Sequence, residues 1–241
     1  MPKAIYAEIY KDLKQKIEDG EYAFQELLPS ENTLVQEYDC SRNTIRRAIS
    51  ALVSNGYVQT IQGKGVRNIF QPTSRASFTL GGIESFKESA IRNNQEYWTA
   101  VLYFAEITAD EKVSKRTGFP VGAELYYIQR LHFLDKKALI INHNYFLKEV
   151  AVGLTPAIAE KSIYEYLEKE LNVSIINSKR VMTVEKMTQI DEKYLDLGDY
   201  NCLAVVSSQT YNSDGVMFEY TQSRHRPDYF RFQDNAVRRT V

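Results

Sequence analysis

Apolar positions in the first twenty residues recur every fourth place. In AIYAEIYKDLKQKIEDG they are Ile5, Ile9, Leu13 and Ile17, a spacing that stacks them on one face of a helix ended by Gly20. In LPSENTLVQEY, Ser30 can cap a second helix that starts at Glu31 and turns Leu34, Val35 and Tyr38 inward. Ser41 caps a third, whose stripe is Ile45, Ala48, Ile49 and Leu52 and which stops at Asn55-Gly56. Only Asp39-Cys40-Ser41 separates the second helix from the third, the length of turn found in a helix-turn-helix. The period then changes. YVQTI and VRNI read as strands joined by Gln62-Gly63-Lys64-Gly65, a hairpin with a lysine at its tip, and a hairpin beside a helix-turn-helix makes a winged helix.

FQPTSRAS, with Pro72 and several small polar residues, interrupts the patterning. It divides the chain into a winged helix-turn-helix domain at 1–70, a linker at 71–77 and a second domain at 78–241. There GIESFKESAIRNN reads as a short helix, WTAVLYFAEI as a strand, and ELYYIQRLHFLDKKALIINHNYF as two strands around Asp135-Lys136-Lys137. Helical segments start at Thr155-Pro156 and Ser162, and VSIINSKRVMTVEKM is strand-like. A helix at DEKYLDL and a hairpin around Asn212-Ser213-Asp214-Gly215 complete the series. Strands outnumber helices and hairpins join them, so the second domain is expected to be α+β and mostly antiparallel.

Composition narrows the function class little. The 241 residues are 44% apolar and 25% charged, an ordinary balance for a folded soluble protein, and the net charge is −1. Two cysteines far apart, Cys40 and Cys202, suggest neither a disulfide framework nor a metal centre, and no cofactor is expected. The N-terminus is charged throughout and no run approaches a membrane span, so a cytoplasmic protein with no membrane partner is expected. The distribution of charge says more. From Cys40 to Ile83 there is no acidic residue, while Arg42, Arg46, Arg47, Lys64, Arg67 and Arg75 all fall there. Such a local basic face can displace counterions from nucleic acid, although most charged runs are simply solvated. Here the stripe of the third helix leaves Arg42, Asn43 and Arg46 off the buried face near its N-terminal end, the end that meets base edges when such a helix enters the major groove.

The spaced series LPSE, SRNTIRRA, LVSNG and GKG resembles the DNA-binding domain of the GntR family of bacterial transcription regulators. The resemblance implies DNA contacts by Asn32, Ser41, Arg42, Asn43, Arg46, Gly63 and Lys64, with Arg47 limited at most to phosphate. An arginine can bond two acceptors of guanine at once, whereas Lys64 and the Gly63 amide suit phosphate.

Downstream, IQRLHF, KSIYEYLEKEL and EYTQSRHRPDYFRF resemble the UTRA domain, the effector-binding module of the HutC branch of that family, which shares its fold with chorismate lyase. The resemblance implies a phosphate held by Arg130 and Ser162, with His132 where much of the family has a second arginine and His225 where many members have a tyrosine. Asn142, Tyr164 and Glu219 would bind the rest of the effector, as would Arg224 and Arg226 beside them, although only one face of that strand can line the pocket. Strand neighbours alternate faces, so Arg224 and Arg226 point one way and His225 the other. A bulge or bend is expected if His225 is to join Glu219. The bland readings are packing for the aromatic residues Tyr126, Tyr127, Phe133, Tyr145, Tyr211, Phe218 and Tyr220, structural histidines, and a helix cap for Ser162.

Segments KSIYEYLEKEL and YTQSRHRPDYFRF are similar to those of trehalose-operon repressors, which implies trehalose 6-phosphate as effector. The expected protein is a homodimeric, non-enzymatic repressor on a palindromic operator of double-stranded DNA, released by a sugar phosphate through a shift of its DNA-binding heads. The alternatives are a regulator answering to another phosphosugar or acidic metabolite, and a lyase-like enzyme.

Overall fold

The computed structural model describes residues 5–71, 78–79 and 82–233. The linker expected at 71–77 therefore lies outside the described residues from Pro72 onward, as does Arg75. The chain divides into two compact units; among the described residues one holds 5–71 with 79 and 233, and the other 78 and 82–232.

In the first unit α1 (Ile5–Glu18), α2 (Glu31–Glu37) and α3 (Arg42–Ser54) enclose a core of Ile9, Leu13, Ile17, Leu34, Ile45, Ala48, Ile49 and Leu52. The predicted stripes are buried except at their margins. Val35 and Tyr38 are half-buried against the core, and Ile5, in the first turn of α1, is 60% exposed, which corrects its place in the stripe. Each large buried side chain contributes about 1.5–3 kcal/mol by leaving water. Ser30 accepts a hydrogen bond from the Thr33 amide and Ser41 from the Thr44 amide, so both predicted caps fix where their helices begin. Strands β1 (Val58–Ile61) and β2 (Gly65–Asn68) form the hairpin in antiparallel register from Val58↔Asn68 to Ile61↔Gly65. A contribution unseen in the sequence is a bridge from Leu27 to Arg67, fastened by the Leu28 amide on the Val66 carbonyl and the Asn68 amide on the Glu26 carbonyl, both at 2.8 Å. An isolated bridge has no alternation to betray it.

The remaining elements in chain order are β3 (Phe78–Thr79), α4 (Phe86–Arg92), β4 (Tyr97–Thr108), α5 (Glu111–Thr117), β5 (Glu124–Leu134), β6 (Lys137–Leu147), α6 (Pro156–Ala159) and α7 (Ile163–Lys169). They continue as β7 (Ile175–Lys186), α8 (Gln189–Tyr194), β8 (Cys202–Asn212), β9 (Met217–His225) and β10 (Phe232–Gln233). Six strands make one antiparallel sheet in the order β4-β5-β6-β9-β8-β7. The expected class, a winged helix-turn-helix followed by a mostly antiparallel α+β domain, is the one observed.

One face of the sheet buries Tyr126, Ile128 and Phe146 against Ala159, Ile163 and Leu167 of α6 and α7. The other buries Leu131, Ile141 and Val205 against Leu195 and Leu197, which follow α8, and Tyr145 and Tyr220 against Phe119. Two helices depart from the sequence reading. Helix α5 was not foreseen, because EKVSKRT buries only Thr117 and shows no apolar stripe; its signals were the Asp110 cap and Gly118 in the left-handed region. Helix α8 starts at Gln189 rather than Asp191, because Thr188 and Asp191 cap each other reciprocally.

Candidate functional site

The first unit carries an exposed polar surface at the start of α2 and α3. Asn32, Ser41, Arg42, Asn43 and Arg46 are all exposed, while Ile45, Ala48 and Ile49 on the other side of α3 are buried. Arg46 is not free in solution. Its Nε and NH2 donate to the two carboxylate oxygens of Glu31 at 2.8 and 3.2 Å, and that guanidinium holds Glu31 below the usual carboxylate range. Arg47 lies elsewhere, its guanidinium 4.1 Å from the centre of the Tyr6 ring, a cation–π contact that ties α3 to α1. At the hairpin tip Lys64 is exposed, and Gly63 has φ +72°, a backbone region that side-chain-bearing residues rarely adopt. Glycine there lets the turn close on the bond from the Lys64 amide to the Ile61 carbonyl.

In the second unit, cross-strand register collects polar side chains on one face. Arg130 lies opposite Asn142, and Asn142 opposite Ser223; Asn144 lies opposite Thr221, and Phe146 opposite Glu219. A continuous hydrogen-bonded chain runs through them. Arg130 Nε donates to Asn144 Oδ1 at 2.8 Å, Asn144 Nδ2 to Thr221 Oγ1 at 2.6 Å, and Thr221 Oγ1 to Glu219 Oε1 at 2.6 Å. Tyr164 on α7 closes it from the helix side, its hydroxyl donating to Glu219 Oε2 at 2.6 Å. Burial and the neighbouring Glu219 charge push the Tyr164 hydroxyl well above its usual range, so it stays a donor. Burial pulls the Arg130 guanidinium down, to about 10, against the attraction of Glu219 and Tyr164, and it remains a cation at neutral pH.

Arg130 also reaches toward the helix layer, NH1 standing 3.5 Å from the Ala159 carbonyl, three residues before Ser162. Ser162 is buried and caps α7, accepting from the Glu165 amide at 3.3 Å. Glu165 is in turn paired with Lys87 of α4 at 2.7 Å, which ties α4 to α7.

A second network adjoins the first. His132, buried to 1% exposure and under the Phe86 ring, bonds Thr99 Oγ1 through Nδ1 and Asn142 Nδ2 through Nε2. Asn142 Oδ1 accepts from the Ser223 hydroxyl, so its amide nitrogen faces His132 as donor. His132 Nε2 is then an acceptor, the proton sits on Nδ1, and the ring is neutral. Burial, with Arg130 and His225 adding to it, holds His132 well below its usual pKa. His225 is also buried, and desolvation lowers it to about 3.

These depressed values have a consequence for stability. Both rings exclude the proton in the folded state, while in the unfolded chain they titrate near 6.5. The unfolded state therefore binds more protons as pH falls below about 6.5, and stability drops at up to about 1.4 kcal/mol per pH unit for each ring, for His225 until its folded value of about 3 is reached. The half-buried His143, lowered to about 4 chiefly by burial, adds with the same sign. Urea unfolding at pH 7 and pH 5 is expected to show a clear loss of midpoint at the lower pH; equal midpoints would mean that these rings are protonated in the fold.

Glu219 and His225 need no bulge to share a face. Six residues is an even number of alternations, and β9 pairs with β6 without interruption from Glu219 to His225. The expected bend is absent from that pairing, which corrects the sequence reading. Arg224 and Arg226 are committed elsewhere. Arg224 is buried on the opposite face, bonded to both oxygens of Asp191, to Glu185 and to the Lys186 carbonyl. Burial opposes its charge, but Asp191 and Glu185 more than offset this and its pKa is raised. Arg226 chelates Asp228, bonds the Asp196 carbonyl and lies over Tyr200 and Tyr229. The face therefore joins Arg130, His132, Asn142, Glu219 and His225 with Tyr164, and excludes the two flanking arginines. Sequence reasoning missed Asn144 and Thr221. Each stands two residues from a residue it had named, Asn142 and Glu219, and so on the same face of its strand. Among the described residues no cluster of His, Cys, Asp and Glu could hold a metal ion, and no helix is long and apolar enough to cross a membrane.

Comparison with known proteins agrees with both units. Residues 5–67 match the profile of bacterial regulatory proteins of the gntR family, and residues 92–231 match the UTRA domain. The HTH-type transcriptional regulator TreR of Bacillus subtilis is 37% identical over 230 residues, covering 95% of this chain and 96% of that protein. The HTH-type transcriptional repressor NagR of the same organism is 24% identical over 231 residues, covering 96% of this chain and 94% of that protein. Among solved structures, the possible transcriptional regulator YydK from B. subtilis superposes with a TM-score of 0.81 over 98% of this chain and all of that one, and at 18% identity it speaks for the fold alone. The effector-binding domain of the B. subtilis trehalose repressor, 34% identical, covers 59% of this chain and 99% of that domain with a TM-score of 0.54.

Proposed function

From the premise that this chain belongs to the gntR family of bacterial regulators and carries a UTRA domain, we propose that it is a one-component repressor released from its operator by trehalose 6-phosphate. The observation that carries the effector half is the run Arg130–Asn144–Thr221–Glu219–Tyr164. A permanent cation stands at one end and a carboxylate with a phenol at the other, the pair of chemistries a phosphorylated sugar offers: an anion, and hydroxyls that donate to a carboxylate. Ser162 and Arg130 hold the phosphate. Glu219, Tyr164 and Asn142 order the sugar, and neutral His132 and His225 supply shape and single hydrogen bonds rather than charge. The trehalose assignment draws its support from the relative named TreR and from the likeness to the solved effector-binding domain of the B. subtilis trehalose repressor.

The DNA half rests on the exposed Asn32, Ser41, Arg42, Asn43 and Arg46, with Gly63 and Lys64 at the wing taking phosphate. A homodimer presents two such heads to a palindrome, and the genes under control are those for trehalose uptake and breakdown. Effector release follows if trehalose 6-phosphate favours the form with lower operator affinity, since equal affinity for both forms would shift nothing. The same reading places the protein in the cytoplasm and assigns it no catalytic step, in keeping with relatives named as transcriptional regulators and repressors.

A thermal-shift panel of trehalose 6-phosphate, glucose 6-phosphate, N-acetylglucosamine 6-phosphate, free trehalose and inorganic phosphate tests the effector. At a hundred times its dissociation constant a native-state ligand adds about 2.7 kcal/mol, enough to raise the midpoint by several degrees. Trehalose 6-phosphate is expected to give the largest rise and free trehalose little. A larger rise from another phosphosugar would reassign the effector.

A further inference from the structure

Arg46 and Glu31 meet side-on, with Nε and one NH2 proton on the two carboxylate oxygens. Planar guanidinium geometry then leaves NH1 and the second NH2 proton as a parallel pair of donors, the pattern that fits guanine O6 and N7. The side chains of the pair are 65% and 34% exposed, a setting where an ion pair contributes little to folding. Stability therefore does not account for it. We infer that Glu31 is a positioning residue for DNA reading, which holds the Arg46 fork with its NH1 edge presented outward to a guanine. The inference rests on the reading of Arg46 as a base-edge contact.

The sign of its effect separates it from simpler roles. A carboxylate facing a polyanion repels phosphate, so if Glu31 did nothing else its removal would tighten binding to every duplex alike. As an acidic residue in the first turn of α2 it also suits the helix dipole, a role that would affect folding and leave sequence preference untouched.

The full-length chain, a duplex it selects from a randomised library and a scrambled duplex of equal length provide the test. Glu31→Gln is expected to weaken binding to the selected duplex about tenfold while binding to the scrambled duplex holds or rises, so that the specificity ratio falls. Glu31→Asp should recover part of the ratio, and in an Arg46→Ala background Glu31→Gln should not change the ratio further. Equal or tighter binding of Glu31→Gln to the selected duplex with an unchanged ratio overturns the inference, provided Arg46→Ala itself loses specificity. If Arg46→Ala keeps full specificity, it is the base-edge reading that fails, and the role of Glu31 falls with it.

Discussion

Asp191→Ala is expected to lower the unfolding free energy of the second unit by about 3–5 kcal/mol, the usual cost of leaving a buried charge without its partner. Asp191 is fully buried and Arg224 is 3% exposed. The carboxylate accepts Arg224 Nε at 3.0 and 3.1 Å and, on its other side, the Thr188 amide at 2.8 Å. One side chain thus neutralises a guanidinium inside the sheet and closes the cap of α8. Removing it strands Arg224, whose remaining acid, Glu185, is half exposed. Trp98, the chain's single tryptophan, stacks on Phe133 at 3.5 Å in this unit and reports its unfolding in urea. Asp191→Asn keeps the shape and an acceptor for the cap, so it separates the charge from the cap and should recover only part of the loss. Asp191→Leu with Arg224→Met removes both charges and should be far milder than Asp191→Ala, because no ion is left unpaired. A loss below about 1 kcal/mol for Asp191→Ala would mean that Arg224 finds other compensation. Operator and effector binding by any of these variants, where folded, should match the parent chain, since the pair lies on the face away from Glu219.

The first unit could be read from sequence because its determinants are local. Helix stripes, Ser30 and Ser41 as caps and glycines at turns each act within a few residues, and each is where it was expected except Ile5, which the first turn of α1 leaves exposed. The α+β class of the second unit was legible for the same reason, through hairpins such as the one around Asp135 and Lys136, both of positive φ. What stayed hidden depends on pairs distant in the chain. The Glu31–Arg46 pair spans two helices, and nothing about either residue alone announces the other. Arg224 looked like a ligand residue because strand alternation gives a face but not its neighbours, and Asp191 came into view only when α8 packed on the sheet. Asn144 and Thr221 were within reach of parity counting, whereas Thr99 joins the site through a strand pairing of β4 with β5 that links Thr99 to His132.

The second large effect concerns Arg130, and it bears on the central claim. Arg130 is the one permanent cation in the hydrogen-bonded run, and one nitrogen of its fork is spent on Asn144. A charge-assisted contact to phosphate in a desolvated setting is worth roughly 2–5 kcal/mol when one partner is truncated, so Arg130→Ala should weaken effector binding by about thirtyfold or more. Folding should be affected less, because Asn144 keeps its bond to Thr221. The residues proposed to read DNA are untouched, so duplex affinity should be retained. The decisive measurement follows the fluorescence anisotropy of a labelled duplex, selected by the parent chain, as trehalose 6-phosphate is added. The parent chain is expected to leave the duplex at effector concentrations where Arg130→Ala stays bound. A duplex that remains bound to the parent chain at saturating trehalose 6-phosphate, or one that both proteins release alike, would contradict release through the Arg130 site.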